Sequence, residues 1–393
     1  MYLLKKFYRQ WESLAYISCM KNLLVVFALP FILAKPASKE HYLVVGTYTG
    51  AKSEGIYVYK FNPQDGSATE VSHIKTVNPS FLVVSPDEKF VYAVSENGKD
   101  DNGGEISSFA FDKKSGTLRF INKQLTGGDH PCYVDIDKTG KWVFAGNYSS
   151  GTLSVFPLDS DGSLGEASTR IAHSGSGANK ERQSKPHVHC TYVSPDNKFL
   201  YVPDLGIDKV MIYSFDVATG KLTPAPQPFA ATNPGAGPRH ITFHPNKKFA
   251  YLVEELAGEV VVFKSEHGAL KMIQRTSTLP RGAIGFAGSA DIHVSPDGKF
   301  LYASNRGDFD NLAIFKVNPS TGKLSIVGFQ PTGGKAPRNF NFDPSGEYLL
   351  AANQNSDEIV VFKRNIKSGV LEETGKRIEV GKPVCLKWIG TED

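Results

Sequence analysis

Val84-Ser85-Pro86-Asp87-Glu88-Lys89-Phe90-Val91-Tyr92-Ala93 is the stretch that decides the fold, because the chain writes it again five times. The copies read IDKTGKWVFA at 136–145, VSPDNKFLYV at 193–202, FHPNKKFAYL at 243–252, VSPDGKFLYA at 294–303 and FDPSGEYLLA at 342–351. Positions 86, 138, 195, 245, 296 and 344 correspond, at separations of 52, 57, 50, 51 and 48 residues. A Pro-Asp-Gly-type turn between two apolar runs is a hairpin signal. A third strand ending in an aromatic follows each hairpin, as in Leu153-Ser154-Val155-Phe156 or Val260-Val261-Val262-Phe263. A turn such as Asn318-Pro319-Ser320-Thr321-Gly322-Lys323-Leu324 then leads to a fourth. Four strands per period of about 50 residues describe a propeller blade.

Six copies leave one blade over, and its halves stand at the two ends of the chain. Lys382-Pro383-Val384-Cys385-Leu386-Lys387-Trp388 reads as a first strand, and His41-Tyr42-Leu43-Val44-Val45-Gly46-Thr47-Tyr48 as a second. The expected fold is all-β: a seven-bladed β-propeller of four-stranded antiparallel blades, closed by pairing the two chain ends, which hides the edges of an open ring. A solenoid of hairpins is the rival, and the split copy argues against it. The folded part, 39–393, is then a single domain with no internal linker.

Composition agrees. Apolar residues make up 40% of the 393 and charged residues 21%, with Gly 37 and Pro 23, a mixture suited to short strands and tight turns. A net charge of +4 with no basic run points away from nucleic acid as a partner. Cys19, Cys132, Cys190 and Cys385 show no CxxC or His/Cys ligand spacing, so buried thiols are expected rather than disulfides or zinc.

Residues 1–38 read as a leader. Met20-Lys21-Asn22 is followed by an apolar run from Leu23 to Ala34, then by small and polar residues near Ala37-Ser38. That is the grammar of a signal peptide starting at Met20, and the run is too short for a membrane span. Export to the periplasm or the outside is expected, with no stable membrane insertion after processing. An uncleaved anchor or a buried apolar stretch, with a cytoplasmic protein, is the alternative, because Lys35 makes the cleavage site imperfect.

The repeat register also finds a candidate site. In a propeller the first strand of each blade lines the channel, and its start lies at the same face as the end of the second strand. First strands begin after Pro79, Pro131, Pro186, Pro238, Pro337 and Pro383; the copy opening at Ser289-Ala290-Asp291 lacks the proline. One mouth therefore collects His187, His189, Arg239, Arg306, Arg338, Glu255, Glu96 and several amides, whereas the turns at the opposite face are interchangeable Asp, Asn, Gly and Lys. Ionisable groups converging on a concave site make the default binding-site hypothesis. Asn147, Asp204 and Asn353 have a blander reading as turn caps. His240 and His244 have one as partners in blade hydrogen bonds, and Glu254 one as a side chain turned into the blade, since strand neighbours face opposite ways. Several arginines without matching acids suit a carboxylate or a phosphate.

At the level of motifs the chain resembles the lactonase family of seven-bladed propellers, which includes propeller-type 6-phosphogluconolactonases and carboxy-muconate cyclases. The resemblance runs from about Tyr42 to Trp388. It rests on Asn78-Pro79-Ser80, Gly146-Asn147-Tyr148-Ser149-Ser150-Gly151, Pro186-His187-Val188-His189, Asp204-Leu205-Gly206, Gly237-Pro238-Arg239-His240, Glu255-Leu256, Ser304-Asn305-Arg306 and Pro337-Arg338. It implies catalytic roles for His189 (or His187), Arg239, Glu255 and Arg306, and a sugar lactone as substrate. It leaves open which lactone, since the same scaffold serves muconate chemistry.

Lactone hydrolysis needs an activated water and stabilisation of the carbonyl oxygen. Glu255 or His189 is the expected general base. Arg239 is expected at the oxyanion, and Arg306 and Arg338 on a substrate carboxylate or phosphate. His187, Glu96 and Asn147 are expected to bind substrate. No cofactor, metal or obligate protein partner is called for. Two rivals remain: a non-enzymatic propeller that binds a ligand or protein, and a calcium-dependent gluconolactonase-like hydrolase with Glu96, Asn147 and Asp204 as oxygen ligands.

Overall fold

The computed structural model of the chain describes residues 39–101 and 103–392; the leader reading, with its start at Met20, lies outside them. The described residues form seven four-stranded sheets, each with antiparallel neighbours. The split blade is Pro383–Gly390, His41–Thr47, Gly55–Asn62 and Ser67–Lys75, with Val44 opposite Lys387 and Val45 opposite Leu386. The inner strands that follow it round the ring are Leu82–Val84, Pro131–Ile136, Tyr192–Val193, Pro238–Phe243, Ser289–Val294 and Pro337–Phe342. Neighbouring inner strands touch at six of the seven junctions, including Pro337–Phe342 with Pro383–Gly390, and at the seventh Pro238–Phe243 packs on Phe199–Asp204, the strand next to the short Tyr192–Val193. The propeller, its blade boundaries and its closure are those of the sequence repeat.

The recurrent phrase forms its hairpin from its own side chains. Ser85 Oγ donates to Asp87 Oδ1 at 2.6 Å and accepts Phe90 N–H at 2.9 Å. Ser194 with Asp196 and Phe199, and Ser295 with Asp297 and Phe300, repeat the pattern. Such side-chain bonds satisfy turn backbone locally, which is why the phrase is legible without knowing the fold.

The tyrosine of the same phrase staples one blade to the next. Tyr201 donates to Gly268 O at 3.1 Å, Tyr251 to Gly322 O at 3.0 Å and Tyr92 to Gly162 O at 3.2 Å, each in the outer turn of the following blade. Gly268 has a φ of 83°, and a Cβ there would sit 2.3 Å from the Phe199 ring, so the turn accepts no side chain. Between the sheets Phe109, Phe144, Phe156, Phe263, Phe315 and Phe362 are fully buried. Each contributes about 1.5–3 kcal/mol of burial.

The feature that positions the site is at the start of the inner strands. The pairing register breaks between Pro131 and Tyr133, between Pro238 and His240, between Ser289 and Ile292, and between Pro337 and Asn339. The extra residues are Cys132, Arg239, Ala290 with Asp291, and Arg338. A bulge leaves its residue outside the ladder and bends the strand. Arg239 reaches the mouth, while His240, the next residue, bonds Asp291 of the neighbouring inner strand. His240 does satisfy a hydrogen bond, as its bland reading expects, but with the next blade rather than inside its own. His244 bonds Gly298 O in the turn of the next blade, and Glu254 turns into its own blade to pair with Arg275.

Candidate functional site

Cavity and charge. The mouth of the channel holds a cavity of about 430 Å³, walled by Glu96, Cys132, Tyr148, Arg182, His189, Arg239, Glu255, Phe286, Arg306, Arg338, Gln354 and Asn355. Glu255 is its hub. One carboxylate oxygen accepts Arg239 Nη1–H at 2.6 Å and Arg306 Nη2–H at 3.1 Å, and the other accepts Arg182 Nη2–H at 2.7 Å. Both inner arginines are also anchored on backbone: Arg239 Nε–H donates to Ala290 O and Arg306 Nε–H to Gly288 O, each at 2.8 Å. Arg239 Nη1 additionally contacts His189 Nε2, and His189 Nδ1 lies 3.5 Å from Cys132 Sγ. On the other side Glu96 accepts the Tyr48 hydroxyl at 2.7 Å, and the Arg338 guanidinium lies over the Tyr48 ring at 5.4 Å. Among the described residues Arg338 has no carboxylate partner.

The protonation states follow from these neighbours. Burial works to raise the Glu255 pKa, but Arg239, Arg306 and the other nearby cations outweigh it and hold the carboxyl well below its usual range. Burial, reinforced by Arg239, holds His189 well below the usual imidazole range, so its ring is neutral near pH 7. Burial and Arg239 push Arg306 down to about 9 while Glu255 opposes them, which still leaves a cation at neutral pH. Burial pushes the Cys132 thiol up, so it is no nucleophile. Four arginines against two glutamates give the cavity an excess of two positive charges.

His189, Arg239, Glu255, Arg306, Arg338 and Glu96 come together as the repeat register expects. Two other expected binding residues do not line the cavity. Asn147 is fully buried and donates to Thr152 Oγ1 at 2.9 Å, because alternation along its strand turns it into the blade and gives the cavity Tyr148 instead. His187 stands behind Tyr148, its ring stacked on it at 4.4 Å and its Nδ1–H donating to Tyr148 O at 2.9 Å. The proposed calcium trio does not converge. Asp204 accepts His173 Nδ1–H and His187 N–H, both at 2.7 Å, while Asn147 and Glu96 have the separate partners described above.

Arg182 is the residue that register reasoning misses. It stands in the connection between Thr169–Ala172 and Tyr192–Val193, outside the four-strand pattern. The next residue, Gln183, is fully buried and clamps the connection, donating to Leu205 O at 2.8 Å and Asp208 Oδ1 at 2.6 Å. Its sequence signal is the longest repeat interval, 57 residues.

Comparison with known proteins agrees with this architecture. The family described as "Lactonase, 7-bladed beta-propeller" matches residues 42–388. A 6-phosphogluconolactonase of Formosa agariphila is 38% identical over 342 residues, which is 86% of this chain and 96% of that protein. A 6-phosphogluconolactonase of Bacillus subtilis is 37% identical over 348 residues, 88% of this chain and 97% of that protein. Among solved structures, the periplasmic gluconolactonase of Pseudomonas aeruginosa superposes with a TM-score of 0.86 at 39% identity, covering 90% of this chain and all of that one.

Proposed function

We propose that this chain, which belongs to the lactonase family of seven-bladed β-propellers, hydrolyses the ester bond of a sugar lactone, and that 6-phosphogluconolactone, giving 6-phosphogluconate, is its substrate. The observation that carries the reading is the charge of the cavity. It has two cations in excess, one of them Arg338, which no carboxylate among the described residues bonds directly, beside a neutral imidazole. A phosphomonoester with nearly two negative charges near pH 7 fits that excess.

In this reading the phosphate lies on Arg338 and Arg306, and the lactone carbonyl draws the Arg239 guanidinium off His189 Nε2. The freed Nε2 takes a proton as water adds to the carbonyl carbon. Arg239 stabilises the oxyanion, a contribution that in other acyl-transfer sites is worth roughly 10²–10³-fold. The tetrahedral carbon then expels the ring oxygen, and the proton held on His189 passes to it. Glu255 positions rather than accepts protons, because three guanidiniums hold its charge and keep its basicity low. Glu96 orients Tyr48 beneath Arg338.

A second substrate is supported by two observations: the signal-like run from Leu23 to Ala34, and the likeness to a periplasmic gluconolactonase. They favour export of the propeller at 39–393 and an unphosphorylated lactone outside the cytoplasm. Hydrolysis of 6-phosphogluconolactone and glucono-δ-lactone by the chain from Lys39, corrected for spontaneous opening and repeated with EDTA, separates the readings. Preference for the phosphorylated lactone supports the first and preference for the other supports the second. Loss of activity with EDTA would return the calcium reading. Turnover of neither lactone would defeat both and favour a binding propeller.

A further inference from the structure

Beside the arginines lies a second polar layer that the proposed reaction does not use. Its centre is the Asp291 carboxylate, which accepts His240 Nδ1–H at 2.9 Å on one oxygen. On the other it accepts His293 Nε2–H at 2.9 Å and the Asn339 amide. Asn339 in turn accepts Leu386 N–H at 2.8 Å, so four consecutive inner strands are stitched across the channel. His240, Asp291 and Asn339 are 5%, 4% and 3% exposed.

One atom of this layer is not accounted for by stitching. An ionised Asp291 on Nδ1 fixes His240 as the Nδ1–H tautomer and leaves Nε2 a bare lone pair. That nitrogen is buried and has no partner among the described residues, a situation that costs about 1–3 kcal/mol. A phenylalanine would fill the same space against Phe81 and Tyr133, whose ring centroids lie 5.9 Å and 5.2 Å away, without that cost. The third ring against His240 is His189, edge to face at 5.3 Å.

We propose that Asp291 and His240 form a positioning dyad for His189: the carboxylate fixes the His240 tautomer, and the His240 ring, packed edge to face on His189, orients it with Nε2 at the cavity. The inference rests on His189 acting as the base of the proposed lactonase. The charged or titratable groups around His240 are Asp291, Arg239, Arg338, His189 and Tyr133. Burial and the two arginines push His240 down to about 4 although Asp291 pulls it up, so the ring beneath His189 stays neutral across the working range.

The test uses the full propeller. His240→Phe keeps the packing and removes the polarity; Asp291→Asn offers an amide donor to Nδ1 and flips the tautomer. Both are expected to lower kcat by about tenfold or more, a fraction of what a general base supplies, with KM held and the acid limb of the pH–rate profile displaced. His240→Gln, which restores an acceptor, should recover part of the loss. Folded His240→Phe and Asp291→Asn with wild-type kcat and pH profile would overturn the dyad while leaving the lactonase reading intact. Ring-nitrogen NMR supplies a readout that needs neither turnover nor the His240 variant. Wild type should show His240 protonated on Nδ1 only, and Asp291→Asn should move the His189 titration. A His240 protonated on Nε2, or an unmoved His189, overturns the proposal even if no lactone is turned over.

Discussion

The two ends of the inner strands are made of the same backbone and do opposite things. At the hairpin end Ser85, Ser194 and Ser295 bond the aspartate two residues on and the backbone of their own turn. At the mouth the strands break register, and the displaced side chains reach other blades: Arg239 bonds Ala290 and His189 as well as Glu255 of its own blade, and Arg338 lies over Tyr48. The comparison teaches that local satisfaction makes a surface interchangeable, whereas long-range satisfaction makes it specific. Changes at the mouth should therefore cost function and stability together, and changes at the turns should cost little beyond local strain.

The sharpest way to break this contrast is Glu255. Glu255→Ala leaves three guanidiniums facing one another around a buried gap. It is expected to cost about 3–5 kcal/mol of stability in denaturant titration, as loss of one partner of a buried pair does. Arg239→Ala should lower kcat/KM about 10²–10³-fold in a lactone assay. A smaller effect follows from acid. His240 sits at about 4 in the folded protein against an ordinary 6.5, so below 6.5 the unfolded chain binds the proton that the folded one refuses. Stability is intact above pH 6.5 and falls as pH drops from 6.5 toward 4, by about 3 kcal/mol for this group at 1.36 kcal/mol per pH unit. Across that range the melting temperature of wild type should fall relative to that of His240→Phe, which lacks the group.

At the hairpin side the largest expected effect is steric. Gly268→Ala combines a positive φ with the Phe199 ring, and should cost about 1–3 kcal/mol in thermal melts while leaving the kcat of the folded molecules unchanged. Lys198→Ala, on an exposed turn residue, should shift stability by less than about 0.5 kcal/mol and activity not at all. A large activity loss from either variant would break the division between the two ends.

The repeat made the blades, their boundaries and the shared face of His189, Arg239, Glu255, Arg306, Arg338 and Glu96 legible, because period and turn chemistry are local properties. The parity of single side chains was harder to read. Asn147 and Tyr148 are neighbours, and which one faces the cavity depends on the pleat of a strand whose end sequence cannot locate to one residue. Arg239 and His240 are also neighbours, yet both serve the channel, because the bulge after Pro238 breaks the alternation. A bulge is a relation between two strands, here Pro238–Phe243 and Phe249–Glu254, so neither strand announces it alone.

By itself, then, the sequence determined a ring of seven blades, its closure through the chain ends and the face at which the cations gather, since each rests on spacing, turn residues and pattern. Tertiary structure decided that Glu255 would be shared by three arginines, one of them Arg182 from outside the repeat, and that Arg338 would stand apart with Tyr48. It also decided that His240 would turn from its blade toward Asp291 and His189. The physical reason is one of range. Hydrogen bonds within a turn join residues two to five apart, whereas Arg182 and Arg306 meet Glu255 across 73 and 51 residues, once separate blades have packed together.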